Sequence, residues 1–272
     1  MSDLVSVMDR GGSAEVSVSE RADCCEDRRR LPCVPSGDRG EDARDRVRVR
    51  LLDGFEVRVE GRPRPVGRWT KRSAAALVKL LALSPRGRLH RDRVIDVLWP
   101  DSTLAAAVPR LHKAAHYARQ EIGDRGAVVL RDQVVALFPH AELEVDVVDF
   151  ELAADAALAG KPLSASACDD ALRLAGDLLP DDLAEWWLDE PRERLRLRVE
   201  QLLQGARRWQ DLLRVNPAHE EAHVELLREA VVSGDRTNGL RRFVLMEQAL
   251  DAELGIAPGR EARELLQRLV AS

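Results

Sequence analysis

The stretch Arg110 to Gln120 reads RLHKAAHYARQ and gathers side chains able to donate hydrogen bonds to an anion or to the polar edge of a planar ring. At helical spacing Leu111, Ala115, Ala118 and Ile122 share one face, and Lys113, His116, Tyr117 and Gln120 share the opposite one. Arg110, His112 and Arg119 stand at the borders. A helix lying in a major groove can offer Arg or Lys to guanine and His or Gln to other base edges, so base-edge reading is assigned to Arg110, Lys113, His116 and Tyr117. The rival reading is a solvated polar face, and Tyr117 has packing as an alternative. Phosphate contacts are expected from helix starts and a hairpin tip, where backbone N–H groups add to side-chain charge. Trp69, Lys71, Arg72, His90, Arg91 and Arg131 fit that description, with core packing as the rival for Trp69. Trp99 is assigned to the core.

The charge distribution favours the first reading. The chain carries a net −5 overall, but residues 46–139 hold 19 Lys+Arg against 9 Asp+Glu, a net +10. Residues 140–272 hold 16 against 27, and residues 1–45 hold 7 against 11. The middle segment attracts a polyanion, whereas the acidic C-terminal half is repelled by phosphates and attracted to basic proteins.

The elements that must position these side chains are legible as patterns. Residues 1–45, rich in Asp, Arg, Gly and Ser without a period, are expected to be a disordered leader. Val47, Val49 and Leu51 alternate with arginines, turn at Asp53-Gly54, and continue as Phe55, Val57 and Val59, which predicts a hairpin. Thr70 is placed to cap a helix carrying Ala74, Leu77, Leu80 and Leu81, ended by Ser84-Pro85 and Gly87. A second helix is predicted over His90 to Leu98. The third is expected to start near Val108 with Pro109 in its first turn, a kinked helix from Thr103 being the alternative. Val128 to Leu130 and Val134 to Phe138 predict a closing hairpin across Arg131-Asp132-Gln133. Strand, strand, three helices and hairpin is the order of a winged helix-turn-helix, an α+β domain expected over 46–139.

From Val147 onward every segment reads helical: Asp149 to Leu158, Ala165 to Leu174, a polar break over Gly176 to Leu183, then long amphipathic helices. Asn216-Pro217 precedes Glu221-Ala222 and Leu226-Leu227, much as Ala257-Pro258 precedes Glu261-Ala262 and Leu265-Leu266. Residues 140–272 are therefore expected to form an all-α, tetratricopeptide-like array of degenerate helical hairpins that exposes surfaces to protein partners. Trp186 and Trp187 are read chiefly as packing between helices, with a partner patch beside Asp181, Asp182 and Glu185 as the alternative.

Several classes are disfavoured. No apolar run suits a membrane span and the N-terminus lacks a secretory pattern, so the expected location is cytoplasmic. Cys24, Cys25, Cys33 and Cys168 have neither disulfide-framework nor zinc spacing, and no cofactor or metal is expected. Phosphate-cradling, nucleophile-elbow and metalloprotease motifs are missing and the six histidines are scattered, so no enzyme is expected.

Two quoted stretches add a resemblance. "RWTKRSAAALVKLLALSPRGRLHRDRVIDVLWPD" with "VPRLHKAAHYARQEIG", and "GDLLPDDLAEWWLDEPRERLRLR" with "NPAHEEAHVELLREAVVSGDRTNGLRRF" and "ELGIAP", resemble the Streptomyces antibiotic regulatory protein family over about residues 47–271. That family combines an OmpR-like winged helix with a bacterial transcriptional activation domain. The resemblance implies binding to direct repeats near a promoter, as a dimer or in tandem, and activation through contact with RNA polymerase holoenzyme, commonly in secondary-metabolite clusters of actinobacteria. Pro109 departs from the ordinary helix former expected at its place. The competing reading is an interaction or sensor fragment in which the helical array binds a regulator or ligand.

Overall fold

The computed structural model describes residues 46–60 and 69–271, so the leader expected over 1–45 and the turn stretch from Gly61 to Gly67 lie outside the described residues. β1 (Arg46–Arg50) and β2 (Glu56–Val59) pair antiparallel with Val47 opposite Val59 and Val49 opposite Val57. Alternation sends Val47, Val49 and Val57 to full burial and leaves Arg46, Arg48 and Arg50 exposed.

A strand that periodicity missed completes this sheet. β6 (Glu142–Val145) runs parallel to β1, giving the order β2-β1-β6. Its partner lies far along the chain, so no local turn signal announces it. Arg48 donates to Glu144 at 2.7 Å across the pair. Just beyond β6, the Asp146 carboxylate accepts from Leu51 N and Leu52 N, each at 2.9 Å, and from Val147 N. Burial pushes that carboxyl above its usual range, against the pull of the three amides.

α1 (Arg72–Ala82) buries Ala74, Leu77, Val78 and Leu81. The expected Thr70 cap does not form: Lys71 is the N-cap, with no side-chain cap of its own. A turn at Ser84 to Gly87 leads to β3 (Arg88–His90) and α2 (Arg91–Leu98), whose N-cap is His90. α3 (Leu104–Ile122) starts a turn earlier than Val108, with Thr103 as N-cap and Pro109 inside. The first turn is anchored without Pro109, because Thr103 O accepts from Ala106 N and Ala107 N and Ala107 is fully buried. Gly123, at φ 75°, ends the helix in the left-handed region.

β4 (Val128–Arg131) and β5 (Val134–Leu137) form the closing hairpin, and β3 adds to its other side in the order β3-β5-β4. Asp132 and Gln133 hold the two-residue turn with φ of 49° and 64°, the primed geometry whose twist suits a hairpin.

Among the described residues seven α-helices follow: α4 (Asp146–Ala159), α5 (Ala165–Leu172), α6 (Asp189–Gly205), α7 (Trp209–Val215), α8 (Glu220–Ser233), α9 (Arg236–Leu254) and α10 (Arg260–Ala271). Each from α4 packs on the next, and α8 also packs on α10. The two matched breaks precede α8 and α10, and their alanines, Ala222 and Ala262, are both fully buried. Gly176 to Leu183 is not simply a polar break. Leu178 and Leu179 are buried, Leu179 N donates to Leu51 O at 2.9 Å, and Asp53 N donates to Asp177 O at 2.8 Å. These two buried leucines answer to the sheet rather than to a helix, which is why no helical period appears there.

One apolar core runs from Val47 through Leu137, Phe138, Val145 and Phe150 to Leu202, without a break at residue 140. A second core, from Ala218 to Leu269, belongs to α8, α9 and α10. Trp99 packs partly buried against the first core. Trp187 is buried there, its Nε1 donating to Glu185 at 2.9 Å, whereas Trp186 is 56% exposed. No helix of the described residues is long and apolar enough to cross a membrane.

Candidate nucleic-acid interface

α3 turns Ala107, Leu111, Ala114, Ala115, Ala118 and Ile122 into the core, which leaves Arg110, His112, Lys113, His116 and Gln120 exposed. The face anticipated from the periodicity is therefore a solvent face bearing two cations, two imidazoles and an amide. Arg110 Nη1 donates to Ser102 Oγ at 2.9 Å, which draws that guanidinium toward the loop before the helix. Arg119 turns away, its Nε donating to Val128 O at 2.7 Å and tying α3 to the hairpin.

Two clusters flank this face. On one side stands the start of α1: Lys71 Nζ lies 5.5 Å from the centroid of the Tyr117 ring, and Lys113 Nζ lies 6.0 Å from the same centroid. His116 meets that ring edge-on at 5.6 Å. Tyr117 is thus a half-buried platform beneath exposed cations, with its apolar side against the core. On the other side His112, Arg91 and Arg131 line one notch of about 250 Å³ beside the hairpin turn. Arg131 is highly exposed and borders Asp132, while Arg91 N donates to Gln133 O at 2.7 Å and fixes the start of α2 against the turn.

Not every expected residue joins this surface. Trp69 stacks on Phe55 with centroids 5.2 Å apart, and its buried Nε1 has no partner among the described residues. Trp69 and Arg72 line a groove shared with Lys79, Asp181 and Asp182, where the carboxylates offset the cationic charge. His90 spends Nδ1 on its own helix, accepting from Asp92 N at 3.4 Å.

Glu121 escaped the sequence reading. Its carboxylate accepts from Thr70 N at 2.9 Å, Thr70 Oγ1 at 2.8 Å and Lys71 N at 3.1 Å, so α3 supplies the anchor for the segment entering α1. The signal available was indirect: an acidic residue on the last turn of a helix in a strongly basic segment. Among the described residues no three His, Cys, Asp or Glu side chains converge to hold a metal ion. Cys168 is buried, which pushes its thiol up, and the other three cysteines lie outside the described residues.

Among the described residues the fold is a mixed α+β arrangement of two small sheets followed by a predominantly helical half. No family model matches the chain, and no curated protein matches it. A solved structure is similar in fold: Mycobacterium tuberculosis EmbR in complex with a low affinity phosphopeptide, at a TM-score of 0.59 and 21% identity. The likeness covers 84% of this chain and 65% of that one, so this chain spans somewhat under two thirds of the length of its structural neighbour.

Proposed function

We propose that the chain is a sequence-specific DNA-binding transcriptional regulator. In this reading residues 46–139 act as a winged helix-turn-helix, with α3 in the major groove and the β4–β5 hairpin as the wing. Arg110, Lys113 and His116 face base edges, Tyr117 carries the lysines, and Lys71, Arg91 and Arg131 face phosphates on either side. The acidic, tetratricopeptide-like helices of residues 140–272 offer the surface for a protein partner. Following the family resemblance, that partner is RNA polymerase holoenzyme, the sites are promoter direct repeats bound in tandem or as a dimer, and the genes belong to a secondary-metabolite cluster. The same reading makes the protein a cytoplasmic activator rather than an enzyme.

The observation that carries the proposal is the cationic solvent face of α3 flanked by Lys71 and Arg131, within a segment of net +10. Fluorescence anisotropy of the full chain on labelled duplexes tests it. Affinity should fall steeply as salt rises, and one promoter fragment should bind much more tightly than mixed-sequence duplex. Affinity indifferent to salt would count against DNA as the ligand.

A second reading has its own observation. A cleft of about 430 Å³ is lined by Phe150, Leu178, Pro180, Leu183, Leu195 and Val199, in the size range of small-molecule sites. If the helical half is instead a sensor, a ligand in that cleft should raise the melting temperature while duplex DNA does not.

A further inference from the structure

We infer that Glu121 and Tyr117 are positioning residues that set Lys71 in register with α3, so that one phosphate contact is coupled to the base-facing helix through a carboxylate and a ring. The inference rests on the DNA-binding reading above. Its starting point is an electrostatic oddity: an acidic side chain on a DNA-facing helix weakens binding unless it does something that offsets the repulsion.

The geometry shows what Glu121 does. Its two carboxylate oxygens take Thr70 N, Thr70 Oγ1 and Lys71 N, three exposed donors at the entrance of α1 that would otherwise be left to water. Lys71, the N-cap, has no side-chain cap from its own helix, so the backbone of this residue is held by α3. One helical turn before Glu121, the Tyr117 ring lies under the Lys71 ammonium at 5.5 Å. A single helix therefore grips Lys71 twice, by its amide through Glu121 and by its side chain through Tyr117. The same ring lies 6.0 Å from Lys113 Nζ, so the spacing between the two ammoniums is set by one aromatic group. Two like charges on flexible stems would otherwise separate into solvent, and fixing them in advance lowers the ordering cost of binding a polyanion.

The sign of one substitution separates this role from simple charge. Removing the Glu121 charge should strengthen DNA binding if the residue only repels phosphates, and weaken it if the residue positions Lys71. The full-length protein is titrated against a labelled mixed-sequence duplex over a range of salt. Glu121→Gln and Lys71→Ala are each expected to weaken binding several-fold and to lower the salt slope by about 1. The double variant should bind no more weakly than Lys71→Ala alone, because the carboxylate acts through that lysine. Tyr117→Leu, which removes the ring beneath both lysines, should weaken binding and lower the salt slope at least as much as Lys71→Ala. That variant keeps the idea testable if Glu121→Gln folds poorly by thermal melt. Equal or tighter binding by Glu121→Gln, or losses that multiply in the double variant, would overturn the inference while leaving the DNA-binding reading intact. A wild-type chain without salt-dependent binding would remove both.

Discussion

Lys79 Nζ donates to Asp182 Oδ2 at 2.5 Å, joining the last turn of α1 to the segment that precedes α6. Both side chains are largely buried, at 11% and 22% exposure, and the ammonium also lies 4.7 Å from the Phe55 ring. This pair fastens the basic half of the chain to the acidic half from within, beside the Leu51–Leu179 backbone bond. Removing one partner leaves a poorly solvated charge, so Lys79→Met or Asp182→Leu alone should destabilise by about 3 kcal/mol in chemical denaturation. The double replacement should recover most of that loss. Equal losses in the single and double variants would mean that packing, not charge, is what the pair contributes.

Within the proposed interface the two flanks should respond differently from α3 itself. Lys113→Ala should cost about 1 to 3 kcal/mol on the preferred duplex and relax the sequence preference. Arg131→Ala, at the exposed hairpin turn, should weaken all duplexes alike and reduce the salt slope by about 1. Anisotropy on preferred and mixed sequences reads both, and identical behaviour would refute the separation of base-facing from phosphate-facing residues.

His223 predicts an acid sensitivity of the C-terminal helices. It is 3% exposed, and its Nε2 lies 2.8 Å from the Pro217 carbonyl, so the neutral ring donates there while the buried Nδ1 has no partner among the described residues. Burial holds its pKa below the ordinary 6.5, Arg242 and His219 push the same way, and the Pro217 bond and Glu220 oppose them. A depressed folded-state value means that this stability is fully present above 6.5 and is lost as pH falls through the folded value. Melting temperature should therefore drop below pH 6.5 more in the wild type than in His223→Leu; parallel curves would show that His223 is not the group responsible.

Gly239 on α9 offers a test of close packing. Alanine is normally the better helix former by about 1 kcal/mol, so Gly→Ala within a helix usually stabilises. Here an added Cβ would meet Leu269 Cδ1 at 2.5 Å and Ala230 Cβ at 3.2 Å, where α9 packs against α10 and α8. Gly239→Ala should instead destabilise by about 1 to 3 kcal/mol, and an increase in melting temperature would show that Leu269 can yield.

Much of the architecture follows from local pattern. The alternation of Val47, Val49, Val57 and Val59 specifies a hairpin and its buried face, and the period of Leu111, Ala115, Ala118 and Ile122 specifies which side of α3 is inside. The polar face of that helix, and the basic and acidic halves of the chain, are properties of residue order alone. The start of α3 was less legible, because Pro109 argued for a later helix while the burial of Ala107 favours the earlier one.

What only the tertiary structure decided are the relationships between residues far apart in sequence. β6 joins β1, Leu179 bonds to Leu51, Asp182 pairs with Lys79, and Glu121 holds Thr70 and Lys71. None of these leaves a periodic trace, because each is one or a few contacts whose partner is chosen by how helices and sheets pack. The same packing divides the candidate phosphate contacts, carrying Lys71, Arg91 and Arg131 to the flanks of α3 and Trp69 and Arg72 to a groove beside carboxylates. Sequence determined which side chains carry charge and which face of each helix is wet; long-range packing determined which of those charges stand together.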